Sequence, residues 1–170
     1  KNADVKIGAG GIREIEFIVQ SFQLIRGGRE TELQEPRLLR VLELLEALGH
    51  LPATVVSELR EAYVFLRNTE HALQAVADAQ TQALPADAEG RARLALAMEF
   101  GSWVQFSQVL DEHRDRVAQH FAEVVSLGEE PPELHSDVCG RVVWAMEKDP
   151  PLLQELLAGR GFEDAGGTLR

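Results

Sequence analysis

The sequence predicts an all-α fold: an antiparallel helical bundle with a weakly attached C-terminal helical tail. Three observations carry this expectation. Apolar residues recur at three- and four-residue spacing along most of the chain, the period of one helix face. Alternating runs of branched or aromatic residues between turn signals, the mark of a half-buried strand, are nearly absent. Glycine and proline punctuate the periodic stretches, where helices stop and start.

The elements follow in order. Residues 1–11 form a glycine-rich entry, with Gly8, Gly10 and Gly11 directly before a helical pattern. The first helix is expected over 12–26, with Ile15, Ile18, Val19, Phe22 and Ile25 on one face, and with Gly27 and Gly28 as a left-handed C-terminal cap. A second helix is expected to start near Pro36, to bury Leu38, Leu42, Leu45 and Leu48, and to end at Gly49. The third opens at Pro52 and runs to Ala77 or beyond, its stripe reading Val55, Leu59, Ala62, Tyr63, Leu66, Leu73 and Val76. Asp78, Gln80 and Thr81 read as capping and tethering residues at its end.

Leu84-Pro85-Ala86-Asp87 makes a turn, and Asp87 caps a short helix through Leu94 and Met98. Ser102 caps a long fifth helix carrying Phe106, Leu110, His113, Val117, Phe121 and Val124. Gly128-Glu129-Glu130-Pro131-Pro132 reads as an acidic linker, followed by two weaker helices and a tail from Gly159. The expected division is therefore a bundle over 1–127 and a linker with the start of another region over 128–170.

Composition narrows the function classes. The 170 residues hold 45% hydrophobic and 26% charged side chains, enough apolar surface for a core. Against 17 basic residues stand 28 acidic ones, a formal net charge of -11. Such a surface repels phosphate backbones and anionic membranes, so neither nucleic acid nor a membrane is expected as partner. A small nucleotide in one local basic pocket remains compatible with it. Cys139 is the only cysteine, which removes an intrachain disulfide and any cysteine-based zinc cage, and which suits a reducing cytoplasm. No apolar run approaches the roughly 20 residues that span a bilayer. A chain opening at Lys1 without a signal-peptide pattern reads as part of something longer.

The strongest local feature is Lys6-Ile7-Gly8-Ala9-Gly10-Gly11-Ile12-Arg13-Glu14-Ile15-Glu16. Three glycines let the backbone turn tightly, and a helix N-terminus follows, whose unpaired N–H groups and positive partial charge suit a phosphate or carboxylate. Lys6 and Arg13 add full charges on either side. Arg13, Glu16, Gln20 and Gln23 share one helix face opposite the apolar stripe, the composition a cleft wall needs. The plainer alternative is an entry turn followed by a solvated face. The spacing is neither the dinucleotide fingerprint nor a P-loop.

A second constellation, Glu70, His71, Gln74 and Asp78, lies on the third helix. His71, Gln74 and Asp78 fall at i, i+3 and i+7, a face able in principle to hold a metal, but such groups more often serve as surface hydrogen bonders. His113, inside an apolar stripe, reads as a packed histidine rather than a base, and Trp103 and Trp144 as core or staple residues. No nucleophile stands beside a base, and no strand-borne aspartate pair offers a two-metal phosphoryl-transfer core. Autonomous catalysis is not expected.

The run Lys6 to Gln20, continued by Phe22-Gln23-Leu24-Ile25-Arg26-Gly27-Gly28-Arg29-Glu30 and Leu33-Gln34, closely resembles a signature of the glutamine synthetase adenylyltransferases. The likeness resumes at Ala62-Tyr63, Phe65-Leu66-Arg67, Glu70-His71, Leu73-Gln74, Asp78, Gln80-Thr81 and Leu84-Pro85. It extends through Arg91-Ala92-Arg93-Leu94-Ala95 and Met98-Glu99-Phe100, covering about the first three quarters of the chain. One departure is Ala9, where the family usually has arginine or proline.

The resemblance implies a helical domain beside a polymerase-beta-type nucleotidyltransferase core that this chain lacks. Enzymes of this family join two such halves through a central regulatory region, and the uridylyltransferase of the PII signal protein is related. The wording Ile12-Arg13-Glu14-Ile15-Glu16-Phe17 resembles the N-terminal half, which removes AMP from glutamine synthetase by phosphorolysis, giving ADP. The same likeness implies Mg2+ and ATP or ADP in the parent enzyme, no cofactor on this chain alone, glutamine synthetase and PII as partners, and a bacterial cytoplasm. Lys6, Gly10, Gly11, Arg13, Glu14 and Glu16 are the substrate- or phosphate-binding candidates, with no catalytic residue and no metal ligand in this stretch. The rival expectation is a docking module for glutamine synthetase or PII that contributes nothing to the active site.

Overall fold

A computed structural model describes residues 4–77 and 81–126. They form an all-α bundle of five helices: α1 (Ile12–Arg26), α2 (Leu38–Ala47), α3 (Ala53–Ala77), α4 (Ala88–Ala97) and α5 (Trp103–Ser126), with a 3-10 turn at Thr31–Gln34. Among the described residues the sole extended pairing is an isolated bridge between Asp4 and Ala83. No described helix is long and apolar enough to cross a membrane. Asp78, Gln80, Cys139, Trp144, the 128–170 region and its expected tail lie outside the described residues.

The chain divides into two compact units, and both α1 and α5 run from one into the other. The first unit takes the described residues up to Glu16 together with Pro52–His120. Its core is Val5, Ile12, Ile15, Val56, Leu59, Ala62, Leu66, Leu73, Leu94, Ala95, Phe106, Leu110 and Val117, all buried. α1, α3 and α5 contribute at helical intervals, as burial of a single stripe requires, while α4 contributes the adjacent Leu94 and Ala95. Direction is fixed by side-chain pairs: Glu58 meets His120 at 2.7 Å, while Phe65 lies against His113 and Phe106 with ring centroids 4.7 and 5.9 Å apart. Positions ascending on α3 meet positions descending on α5, so the two helices are antiparallel. Trp103, at the first turn of α5, packs on Phe106 and under the Arg91 guanidinium, a staple as expected.

The second unit takes Phe17–Leu51 and the described residues from Phe121. Ile18, Val19, Phe22 and Ile25 of α1 are buried as expected, with Leu33, Val41, Leu42 and Leu45. Phe17 and Phe121 meet edge to face at 5.3 Å.

Several boundaries differ from expectation for physical reasons. The end of α1 carries no left-handed residue at Gly27 or Gly28. Gly27 N–H still donates to Gln23 O and Glu30 N–H to Arg26 O, while Gln34 Nε2 donates to Gly27 O, so these three carbonyls are satisfied without a left-handed cap. The second helix starts at Leu38, two residues after Pro36, because Arg37 ahead of it has extended backbone. Leu48 is exposed, since it lies beyond the last turn, and Val41 takes a core place instead. On α3 Val56, not Val55, faces inward.

α2 ends in a Schellman arrangement: Gly49, at φ +75°, donates to Glu46 O, and His50 N–H donates to Leu45 O. α4 ends the same way, with Glu99 donating to Leu96 O and Phe100 to Ala95 O, but there the left-handed position holds a glutamate at φ 63°. Replacing Glu99 with glycine is expected to stabilise the protein by about 0.5–1 kcal/mol, because the left-handed penalty of a Cβ disappears. A thermal melt checks this, and an unchanged or lower midpoint refutes it. The expected caps of α4 and α5 are present: Asp87 accepts from Gly90 N–H at 2.7 Å and Ser102 from Gln105 N–H at 3.3 Å.

Candidate functional site

The entry segment is a folded loop whose amides are spoken for. Asp4 Oδ1 accepts from Lys6 N–H and Ile7 N–H at 2.8 and 2.9 Å, closing a turn of the kind aspartate favours. Gly11 N–H donates to Gly8 O, Ile12 to Val5 O, Arg13 to Lys6 O and Glu14 to Gly11 O. Gly10 N–H donates to the Glu14 carboxylate at 2.9 Å. The Gly10, Gly11, Ile12, Arg13 and Glu14 N–H groups at the start of α1 therefore have acceptors within the protein. These amides are not free to form a backbone cradle for an anion.

Two further contacts anchor the loop. Val5 N–H donates to Gln82 O, tying the entry to the turn before α4. Arg114 of α5, 4% exposed, donates from Nε to Ala9 O at 2.9 Å and from a terminal nitrogen to Asp4 O. Burial pushes the Glu14 carboxyl above the usual carboxylate range, partly offset by the Gly10 N–H bond and by the Arg114 charge. Arg114 escapes a reading of motifs, because it sits in a charged amphipathic stretch, between Glu112 and Arg116, that reads as a solvated face. The available signal is its phase: Phe106, Leu110, Arg114 and Val117 share the buried face.

On this base the predicted site residues separate into two groups. Gly10, Gly11 and Glu14 build the loop. Lys6, Arg13 and Glu16 display side chains from it. Arg13 is 66% exposed and lies 3.7 Å from Glu16 at i, i+3, while Ile7 is an exposed apolar side chain at the loop tip. Lys6 reaches Glu70 of α3, its Nζ 3.5 Å from Oε1, and Arg67 NH1 donates to Oε2 at 2.7 Å. Glu70 is buried, and the guanidinium of Arg67 also sits 5.7 Å from the centroid of the Tyr63 ring. Two stretches 64 positions apart in sequence thus meet through one carboxylate.

Other expected participants are placed elsewhere. Gln23 does not stand on an open cleft wall, because its Nε2 donates to Leu33 O and Glu35 O and holds the 3-10 segment. His71 is exposed while Glu70 is buried, so neighbouring positions do not converge. Among the described residues no group of three or more His, Cys, Asp or Glu side chains is arranged to hold a metal ion. His113 packs against Phe65 and lines a groove of about 640 Å³ with Ser57, Arg60, Glu61, Val64 and Asn68. Burial lowers its pKa below the ordinary histidine value, as suits a packed imidazole.

Comparison with known proteins gives these features a setting. A family model described as GlnD PII-uridylyltransferase matches residues 1–125. A bifunctional glutamine synthetase adenylyltransferase/adenylyl-removing enzyme of Hahella chejuensis is 47% identical over 166 residues, 97% of this chain and 17% of the relative. The protein of the same name from Pseudomonas aeruginosa is 46% identical over 168 residues, 95% of this chain and 17% of its own. That from Nitrosococcus oceani is 57% identical over 122 residues, 72% of this chain and 13% of its own. The chain spans about a sixth of the length of the curated relatives it matches.

Proposed function

The chain belongs to the family of the GlnD PII-uridylyltransferases and the glutamine synthetase adenylyltransferase/adenylyl-removing enzymes, and we propose that it serves the deadenylylating half of such an enzyme. In this reading residues 1–127 are the helical bundle beside the nucleotidyltransferase core, and 128–170 lead into a central regulatory region. The partners are that core, glutamine synthetase and the PII signal protein, in a bacterial cytoplasm. In the same reading Mg2+ and ATP or ADP belong to the core. No step through the metal is assigned to this chain, which is expected to be inactive alone.

The observation that carries the reading is the pairing of a tied-down loop with outward side chains. Glu14 and Arg114 fix the backbone, Ile7 and Arg13 stand exposed on it, and Lys6 and Glu16 are half-buried beside them. Phosphorolysis of an adenylyl-tyrosine ester forms a bond from a phosphate oxygen to the AMP phosphorus and releases the tyrosine oxygen. Negative charge gathers on the phosphoryl oxygens, and fixed cations lower that barrier without reorganising. Arg13 is more exposed than Lys6, so Arg13→Ala in the full-length enzyme is expected to slow deadenylylation roughly tenfold, as loss of one charge-assisted hydrogen bond implies. An unchanged rate in folded protein would leave the loop a structural element only.

The second reading is a docking module, and the exposed apolar side chains Leu96 and Val104 favour it. Mixing this chain with the separate catalytic core discriminates the two. Deadenylylation that appears only on mixing supports the cleft role, and none from folded partners supports docking.

A further inference from the structure

We propose that Lys6 and Arg67, held on the two oxygens of the buried Glu70 carboxylate, form a seat for a phosphoryl oxyanion, with Glu70 as its positioning residue. The inference rests on the reading that this loop faces the reaction. Three features point to it.

The first is burial without an apparent structural need. The Glu70 side chain is 4% exposed, yet both its oxygens are used on cations. A buried carboxylate between two cations is seldom more stabilising than a well-packed apolar side chain, so packing alone does not call for glutamate here. The second feature is what the cations keep. Lys6 Nζ pairs with Oε1 at 3.5 Å, longer than an ordinary hydrogen bond, and its side chain is 29% exposed, so an ammonium with three donors keeps capacity for an incoming oxygen. Arg67 spends one terminal N–H on Oε2 and is 36% exposed. Neither side chain has another hydrogen-bond partner among the described residues, and the Tyr63 ring lies against the Arg67 guanidinium. The third is charge: two cations less one carboxylate leave a local +1 on a chain whose formal net charge is -11.

A lysine paired with a glutamate is a known way of aiming an ammonium at phosphate oxygens, because the pair holds the head in place when the site is empty. Arg67, with its forked donors and its face on Tyr63, supplies a second point of contact in a set plane. A free phosphate and the phosphates of a nucleotide share this chemistry.

Titration of the chain with inorganic phosphate, followed by proton–nitrogen NMR at constant ionic strength, tests the seat. ADP serves as a parallel arm. Saturable shifts at the Lys6 amide and the Arg67 Nε–H are expected. Lys6→Met and Glu70→Gln should each weaken binding roughly tenfold with helicity unchanged, while Lys6→Arg stays near the native affinity, as a charge-assisted contact requires. Tighter binding of ADP than of phosphate assigns the seat to a nucleotide, and the reverse order to free phosphate. Absence of saturable shifts overturns the proposal, as does tighter binding by Glu70→Gln, which would make the carboxylate a competitor. A silent titration alongside a slow Arg13→Ala enzyme sinks the seat and spares the proposed function. Phosphate binding alongside a normal Arg13→Ala enzyme does the opposite.

Discussion

Gly10→Ala is expected to destabilise the protein by about 3 kcal/mol, the sum of a left-handed backbone penalty and a forced displacement of packed backbone. Gly10 has φ +70°, and a Cβ there would fall 2.1 Å from the carbonyl oxygen of Arg114. That oxygen belongs to the α5 backbone, so it has no rotamer through which to yield. Gly49 supplies the control. Its φ is +75°, nearly the same, but nothing lies within 4 Å of its added Cβ. Gly49→Ala should therefore show the conformational part alone, about 1 kcal/mol. Urea unfolding of both variants reads the difference. Equal losses would mean that α5 does not press on the loop as the geometry states, and that the glycine is needed for its dihedral angle only.

How much of this was legible in the residues depended on the kind of signal. α1 was readable to its ends, because five apolar residues share its face and glycines bound it on both sides. The caps Asp87 and Ser102 were readable because each is a short polar side chain directly ahead of an apolar-periodic run. Leu48 and Val55 were misplaced because neighbouring apolar residues on a helix fit the period equally well, and only tertiary packing chooses between them. The 3-10 turn at Thr31–Gln34 has one buried residue, Leu33, and so no period to detect.

The candidate site divides the same way. The glycines, Lys6 and Arg13 announce themselves as a cluster, and the ordered likeness to a known family added weight to them. What the sequence did not carry is that the amides beneath them are already bonded to Val5, Lys6, Gly8, Gly11 and Glu14. Composition says where glycine permits a tight turn, but not which acceptors the turn will find. Glu70 stood out only as a member of a polar constellation whose possible metal face was His71, Gln74 and Asp78. Its actual partner came from an element that no local spacing connects to it. Arg114 went unnoticed for a related reason: an arginine at a buried phase is informative only once the partner carbonyls are known.

Arg114→Met follows from that last point and is expected to cost about 3 kcal/mol at neutral pH, the scale for removing one member of a buried charged network. The methionine fills much of the same space, so the loss comes from Ala9 O, Asp4 O and Glu14 rather than from a cavity. The pH dependence identifies the Glu14 part. Burial already raises the Glu14 pKa above 4.5, and Arg114 is one of the groups holding it down. Without that charge the native pKa rises further, while the unfolded value stays where it was. A raised native pKa means that the folded state binds the proton more readily. Its stabilising share is complete below the unfolded value and is lost as pH rises through the native one. The deficit of Arg114→Met relative to the parent protein should therefore be largest near neutral pH and shrink as the pH falls toward 4.5 and below. Urea midpoints at several pH values would show this convergence. A deficit that stays constant across the range would assign the whole effect to the two carbonyl bonds, and would remove Glu14 from the network that holds the entry loop.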